Sequence, residues 1–343
     1  MKITSTTKLS SAILYTFLLF SCVLSAQIPD YYFDIDFTKQ GDALKSELST
    51  LISDTHTNLI PYTSSSTDTW DVVHESDADV DVQGNVVLIY GYNDSDGVTK
   101  NDRTRAISNQ QIRLCKGYWN REHVWSKSHG FPNESDTAYT DIHHLKPCDE
   151  SVNSSRGNKD FDDGGSAHSE ATDCNYDSDS WEPRDAVKGD VARMMFYMEV
   201  RYDPGVHTDG TTYDLELVDN TGTSGATFGK LSTLITWHSN DPVDDAERTR
   251  NDKVYSYQGN RNPFIDYPEF VSSIWGSGPL SPSNLATTSI SENSLSLSWT
   301  DNATNETSYK FYKDEVLVET LHEVEVTNGK KSSKKQTQDT SKI

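Results

Sequence analysis

Trp119-Asn-Arg-Glu-His-Val-Trp125, then Thr140-Asp-Ile-His-His-Leu-Lys-Pro147, then Glu150-Ser-Val-Asn-Ser-Ser-Arg-Gly-Asn-Lys-Asp-Phe161, is the stretch on which the fold turns. The first two segments carry β-formers and aromatic residues, and Pro132 with the polar residues 133–137 separates them as a long turn. Asp149 and Glu150 suit a first helical turn, and small polar residues follow around Val152. The pattern predicts strand, loop, strand, helix. That is a compact scaffold able to hold two ligands and a base around one ion.

The residue types point to phosphodiester chemistry. A water must lose a proton, and a hard cation must neutralise charge on the phosphate and the leaving oxygen. His123 can take the proton, because an imidazole with an ordinary pKa of about 6.5 is neutral and receptive near neutral pH. Glu122 offers a carboxylate and Asn153 a carbonyl, hard oxygens suited to Mg2+, with Ca2+ and Mn2+ as alternatives. Adjacent residues of a regular strand face opposite ways, so a bulge or a strand end has to splay Glu122 and His123 toward one site.

The order Arg-Glu-His-Val-Trp, Asp-x-His-His-Leu-x-Pro and Val-Asn-x-x-Arg-Gly-Asn resembles the endonuclease I family, a branch of the ββα-metal (His-Me finger) nucleases. The resemblance extends through Trp181 to Arg193 and through Gln258 to Phe264, and so spans most of residues 35–275. It implies an α+β fold with a ββα-metal core inside a mixed helical and strand domain. It also implies a sequence-tolerant endonuclease acting on DNA, with RNA as a second substrate, and leaving 5′-phosphate ends. By carry-over His123 activates water, Glu122 and Asn153 hold the single divalent ion, and Arg156 approaches a phosphate. Some relatives place an arginine in the loop between the two strands, but residues 128–140 here contain no Arg or Lys. Its role then falls to Arg156, Lys127 or Lys146, or is absent.

Two rival readings remain. His123, His143 and His144 could serve a zinc hydrolase, although no familiar histidine spacing supports it. A non-catalytic adhesion protein is the other, suggested by strand-like alternation near the C-terminus. His143 and His144 are sequence neighbours, so at most one faces an ion; His144 is the choice to support the site from behind. Asn158 reads as a loop hydrogen bonder, and His129, His168 and His238 as structural.

Lys2 and Lys8 precede the apolar run 12–24, which has the length of a signal-peptide core and is too short to span a bilayer. Residues 1–26 are expected to be a signal peptide cut before Gln27, making the protein secreted. Lipid attachment at Cys22 is disfavoured by bulky Phe20. Removing Lys2 and Lys8 from 30 Lys+Arg leaves 28 against 53 Asp+Glu, a net charge of −25. Such acidity opposes wholesale attraction to a polyanion. From Arg113 to Asp160, however, seven basic and seven acidic side chains balance. A neutral trough that makes few phosphate contacts is expected, in a monomer. Of Cys115, Cys148 and Cys174, the pair Cys148–Cys174 is the expected disulfide, since both flank one loop.

The catalytic domain is expected over 27–275. Within it, 42–52 reads as a helix with Leu44, Leu48, Leu51 and Ile52 on one face, and 86–90 as a buried strand. Asp77, Asp79 and Asp81 read as a solvated acidic turn, because the glycine and glutamate of a calcium loop are missing. Residues 185–201 form the clearest helix, with Met194, Met195 and Met198 as core packing. A Gly/Pro/Ser linker covers 276–283. Over 284–321, Leu295, Leu297 and Trp299, then Tyr309 and Phe311, then Val316 and Val318 alternate with polar residues. They resemble the opening strands of a fibronectin type III module, a partial all-β segment. Residues 322–343 read as a disordered tail.

Overall fold

A computed structural model describes residues 30–110, 117–207 and 210–276, and past them the backbone of five strands between 283 and 339. The expected leader, Cys115 and residues 277–282 of the linker lie outside the described residues. Among the described residues, 30–36 belong to one compact unit, and those from Phe37 on, which carry all the elements named here, belong to a second.

Helix α1 (Gly41–Thr55) buries Leu44, Leu48 and Ile52 of the expected face, while Leu51 is half-buried. Helix α2 (Thr69–Ser76) begins at Asp68, whose carboxylate accepts from the backbone of Trp70 and Asp71 in a capping box. Strand β1 (Asn85–Val87) pairs antiparallel with β2 (Thr104–Ala106). The apolar run 86–90 is largely buried, although only its start joins the ladder.

Strand β3 (Trp119–His123) is followed by the short helix α3 (Thr137–Thr140), strand β4 (Leu145–Asp149) and helix α4 (Glu150–Arg156). β3 and β4 pair antiparallel without a break from Trp119↔Asp149 to His123↔Leu145. Asp149 ends β4 and also caps α4, accepting from the backbone of Ser151 and Val152, so no loop separates strand from helix. Arg105 Nη1 fixes that cap from behind, 3.0 Å from Asp149 Oδ2.

Four short strands, β5 (Asp160–Phe161), β6 (Ser166–Ala167), β7 (Asn175–Tyr176) and β8 (Ser180–Glu182), form a sheet in the order β5-β8-β7-β6. Helix α5 (Lys188–Arg201) then crosses the interior, burying every position except Lys188 and Asp190. A helix buried all round is central rather than superficial. Its methionines pack in the core as expected, and it lies against α1 and helix α6 (Leu231–Asn240). Before α6, β9 (Gly205–Val206) pairs with β10 (Thr212–Tyr213), and β11 (Glu216–Val218) runs parallel to β12 (Thr227–Gly229). Helices α7 (Asp245–Gln258), α8 (Pro263–Asp266) and α9 (Phe270–Trp275) close the domain. Asn262 caps α8 with Pro263 at its first position.

The acidic turn is corrected by the structure. Asp77 and Asp79 are both buried. Asp77 accepts from Arg250 Nε at 3.0 Å and lies 2.5 Å from Lys146 Nζ, while Asp79 faces Arg103. Arg250 also donates to the carbonyls of Ile142 and Leu145 at 2.8 and 2.7 Å, so the pair ties α7 to the start of β4.

The alternating C-terminal residues fall on strands β14 (Ser294–Thr300), β15 (Ser308–Lys313) and β16 (Val316–His322), after β13 (Ser283–Ser291). β17 (Gln336–Asp339) pairs with β14 and lies inside the stretch expected to be structureless. Backbone pairing with β14 supplies there the order that side-chain periodicity did not signal.

Candidate active site

The side chains of β3 divide by the strand's alternation. Asn120 and Glu122 face α4; Arg121 and His123 face Tyr62 and Trp70. On the α4 side Glu122 is buried, and its Oε1 accepts from the Tyr90 hydroxyl at 2.9 Å and lies 3.2 Å from Arg156 Nη1. Burial raises the Glu122 carboxyl to about 7, against the pull of Arg156 and the Tyr90 hydroxyl. Asn153, on α4, donates Nδ2 to Asn120 Oδ1 at 2.7 Å and to the Arg121 carbonyl at 3.4 Å. Its amide is thereby turned so that Oδ1 has no partner among the described residues. Glu122 Oε2 is likewise free of hydrogen bonds and not sealed from solvent. Two unpartnered hard oxygens on neighbouring elements fit a magnesium- or calcium-like ion.

On the other side His123 is 8% exposed. Its Nε2 lies 2.9 Å from the Tyr139 carbonyl, so that nitrogen carries the proton and donates it. Nδ1 has no partner among the described residues and is not sealed from solvent. Burial, then the neighbouring His144, pushes the His123 pKa well below its ordinary value. The ring is held by Tyr62, stacked at 5.8 Å, and by Tyr139, edge-on at 4.5 Å. Tyr62 in turn lies under the Arg121 guanidinium, 3.4 Å from ring centroid to Cζ, with Trp70 on that cation's other contact at 4.0 Å.

Of the two devices expected, a bulge or a strand end, the bulge is absent: pairing stays regular to His123, the last residue of β3. Glu122 and His123 keep different neighbours. β3 ends at His123, and beyond it the Val124 amide donates to the His144 carbonyl at 3.0 Å.

The remaining expectations separate in the same way. Arg156, expected to approach a phosphate, faces the interior. It is wholly buried, its guanidinium donates to the carbonyls of His123 and Val124 at 2.9 and 2.6 Å, and it stands over Phe161. It therefore holds the end of β3 in place. Lys146 is engaged by buried Asp77 and is no free cation. Lys127 is exposed, with Nζ donating to the Tyr139 hydroxyl at 2.7 Å, which leaves a cation at the mouth beside His123. The loop that lacks arginine contributes Glu134, whose charge is felt by Tyr62, Tyr139 and Arg121. Asn158 is a loop hydrogen bonder, donating to the Thr223 carbonyl at 2.5 Å.

His144 lies beside His123, with ring centroids 5.5 Å apart, and gives Nε2 to the Ala138 carbonyl at 2.8 Å. Its Nδ1 is buried without a partner. His143 points elsewhere, its Nε2 meeting the Asn260 carbonyl at 3.2 Å. Three histidines committed to three separate carbonyls do not make a zinc site. Among the described residues no three His, Cys, Asp or Glu side chains gather to hold a metal. The expected Cys148–Cys174 disulfide is also not formed: both thiols are free and buried. Burial pushes both thiols up, and Cys174 Sγ donates to the Tyr90 carbonyl at 3.8 Å.

Sequence reasoning missed the supports. Tyr90 was legible only as the end of an apolar run, and Tyr62 and Arg121 carried no local signal of a shared stack. Asp141 lies in a motif yet serves the core. It is buried, accepts from the hydroxyls of Tyr197 and Tyr202 at 2.7 and 2.8 Å, and also takes a bond from Gln258.

A family model described as Endonuclease I matches residues 40–269. An extracellular ribonuclease of Bacillus subtilis (strain 168) is 48% identical over 248 residues, 72% of this chain and 78% of its own length. An extracellular ribonuclease of Bacillus amyloliquefaciens is 48% identical over 253 residues, 73% of this chain and 80% of its own length. An extracellular deoxyribonuclease of Aeromonas hydrophila is 29% identical over 145 residues, 41% of this chain and 55% of its own length.

Proposed function

The chain belongs to the endonuclease I family and is a nuclease; on that premise we propose that it is an exported, divalent-metal-dependent, sequence-nonspecific endonuclease in which His123 takes the proton from the attacking water. The observation that carries this reading is the contrast between two histidines. His123 donates Nε2–H to a carbonyl and keeps an open Nδ1, whereas the Nδ1 of His144 is sealed. A base needs a lone pair that solvent can reach, and His123 has one.

Glu122 and Asn153 are the residues to hold the ion, from the edge of a ββα-metal core made of β3, β4 and α4. Bound there, a hard divalent cation supplies charge neutralisation at the phosphate and leaving oxygen. The chain's own groups do the rest. Arg156 fixes the end of β3 through two carbonyls, Tyr62 and Tyr139 orient the imidazole, and Lys127 offers the exposed cation for a phosphate. A site whose exposed cation is Lys127 suits an enzyme that makes few phosphate contacts and reads backbone and not base edges.

Attack by water needs no 2′-hydroxyl, so DNA and RNA are both open to cleavage; with the 3′-oxygen as leaving group, which takes up a proton, the products carry 5′-phosphate and 3′-hydroxyl ends. The names of the two ribonuclease relatives favour RNA as a substrate alongside DNA. Purified protein is to be incubated with supercoiled plasmid and with RNA, with and without chelator, then reactivated with Mg2+, Ca2+, Mn2+ or Zn2+. Cleavage of both polymers, lost on chelation and restored by Mg2+, Ca2+ or Mn2+, is the expected result. Cleavage of RNA alone with 2′,3′-cyclic phosphate ends, or restoration by Zn2+ alone, overturns the mechanism. Export is supported by the relatives' names, and among the described residues no helix is long and apolar enough to cross a membrane.

A further inference from the structure

The turn after β3 carries Lys127 and is folded on itself by two backbone bonds. One runs from the His129 amide to the Ser126 carbonyl at 2.8 Å, the other from the Phe131 amide to the Lys127 carbonyl at 3.2 Å. A side-chain link from this turn to the rest of the domain runs through His129, which is fully buried. Its Nδ1 lies 2.9 Å from the Thr227 carbonyl in β12, and its Nε2 lies 3.0 Å from the Asn158 carbonyl just past α4. His123, His143 and His144 each place one nitrogen against a carbonyl; His129 places both. A neutral imidazole has one N–H and one lone pair, so it satisfies one carbonyl and aims the lone pair at the other. Only the doubly protonated ring donates to both.

The counter-charge stands beside it. Asp160, in β5, is buried, and its Oδ1 lies 3.8 Å from His129 Nε2. Its Oδ2 accepts from the amides of Gly222 and Gly229 at 2.9 and 2.8 Å. Burial pushes the Asp160 carboxyl up to about 7; the two glycine amides and Arg156 oppose that rise, and Asp179 adds to it. Oδ1 is sealed and has no hydrogen-bond partner, so a proton placed there would find no acceptor, whereas the same proton on His129 finds one. Arg156 stands over the Phe228 ring against which His129 packs, and Lys127 is the other charge on the turn itself. Buried ions persist where each keeps its hydrogen bonds, and here the imidazolium has two carbonyls and the carboxylate two amides. We propose that His129 is a positioning residue that works as an imidazolium, ion-paired with Asp160, and fastens the Lys127 turn to β12 and to the end of the helix that carries Asn153. Its effect on cleavage rests on the reading of Lys127 as the phosphate cation; the clamp itself does not. Loss of the second proton breaks one of the two bonds, so the clamp loosens as pH rises.

The test is a two-bond 1H–15N correlation spectrum of the 15N-labelled full chain at pH 7.5, where an ordinary imidazole, with a pKa of about 6.5, is mostly neutral. The ring assigned to His129 by its Overhauser contact with Phe228, 4.9 Å away, is expected to show both nitrogens protonated. One bare nitrogen on that ring overturns the proposal, and this measurement needs no variant to fold. Asp160→Asn removes the counter-charge and should return the ring to one bare nitrogen at the same pH. In plasmid cleavage, His129→Gln, which can donate only from one end, should raise KM several-fold in the parent and leave it unchanged in a Lys127→Met background. An equal rise in both backgrounds separates His129 from Lys127 and overturns the positioning role. If Lys127→Met alone leaves cleavage unchanged, the phosphate contact assigned to Lys127 fails, and the spectrum still decides the clamp.

Discussion

The imidazole of His123 has one nitrogen tied to a carbonyl and one open to solvent, so its removal should delete a proton acceptor and little else. His123→Ala is expected to lower plasmid cleavage by roughly 10²–10⁴-fold, the usual contribution of a positioned general base. Its circular dichroism spectrum and divalent-ion affinity should stay close to those of the parent. Cleavage at the parent rate would remove His123 from the mechanism. The opposite outcome is expected at Arg250, which has no catalytic part. Arg250→Met leaves Asp77 buried with Lys146 alone and frees the carbonyls of Ile142 and Leu145. Breaking such a pair costs about 3–5 kcal/mol. Denaturant titration should show that loss, and a loss under about 1 kcal/mol, the range of an exposed pair, would mean that the pair contributes little to the start of β4.

At the scale of elements, β3, α3, β4 and α4 are held by polar groups sunk in the interior, and this makes them sensitive to acid. His56, His143 and His144 are buried around Asp141 and have pKa values lowered to about 4, 3 and 4, with burial as the largest cause. A depressed imidazole binds its proton only once the chain unfolds. The stability it contributes is therefore complete above the unfolded value of about 6.5 and is lost as pH falls toward the folded value. By pH 5 the loss is about 2 kcal/mol per histidine. Urea midpoints measured from pH 7 to pH 5 should fall steeply; a flat profile would show that these rings are already charged in the folded chain. The caps of the same elements were legible locally, since Asp149 before Ser151 and Val152 is a standard helix start. The regularity of β3 was not. The chemistry asked for a bulge or a strand end, and cross-strand pairing continues unbroken up to the strand's end at His123 and satisfies the backbone there.

Across the whole molecule, the family match ends at residue 269, while the described chain continues into the paired strands β13 to β17. Deleting residues 277–343 should leave plasmid cleavage within about twofold of the parent in a rate assay. Loss of activity with the thermal transition intact would assign the C-terminal strands a role in substrate handling.

The sequence alone determined the family and the strand–strand–helix order, and it singled out His123, Glu122 and Asn153, because those signals are local: motif spacing, period-two alternation and a capping aspartate. Only the tertiary structure decided which charges are available. Arg156, Lys146 and Asp77 look in sequence like solvated groups or phosphate contacts, yet each is neutralised by a residue far along the chain or by backbone carbonyls. Cys148 and Cys174 likewise proved to be separate buried thiols. Burial and charge pairing arise from contacts between distant segments, and spacing along one strand or helix carries no record of them.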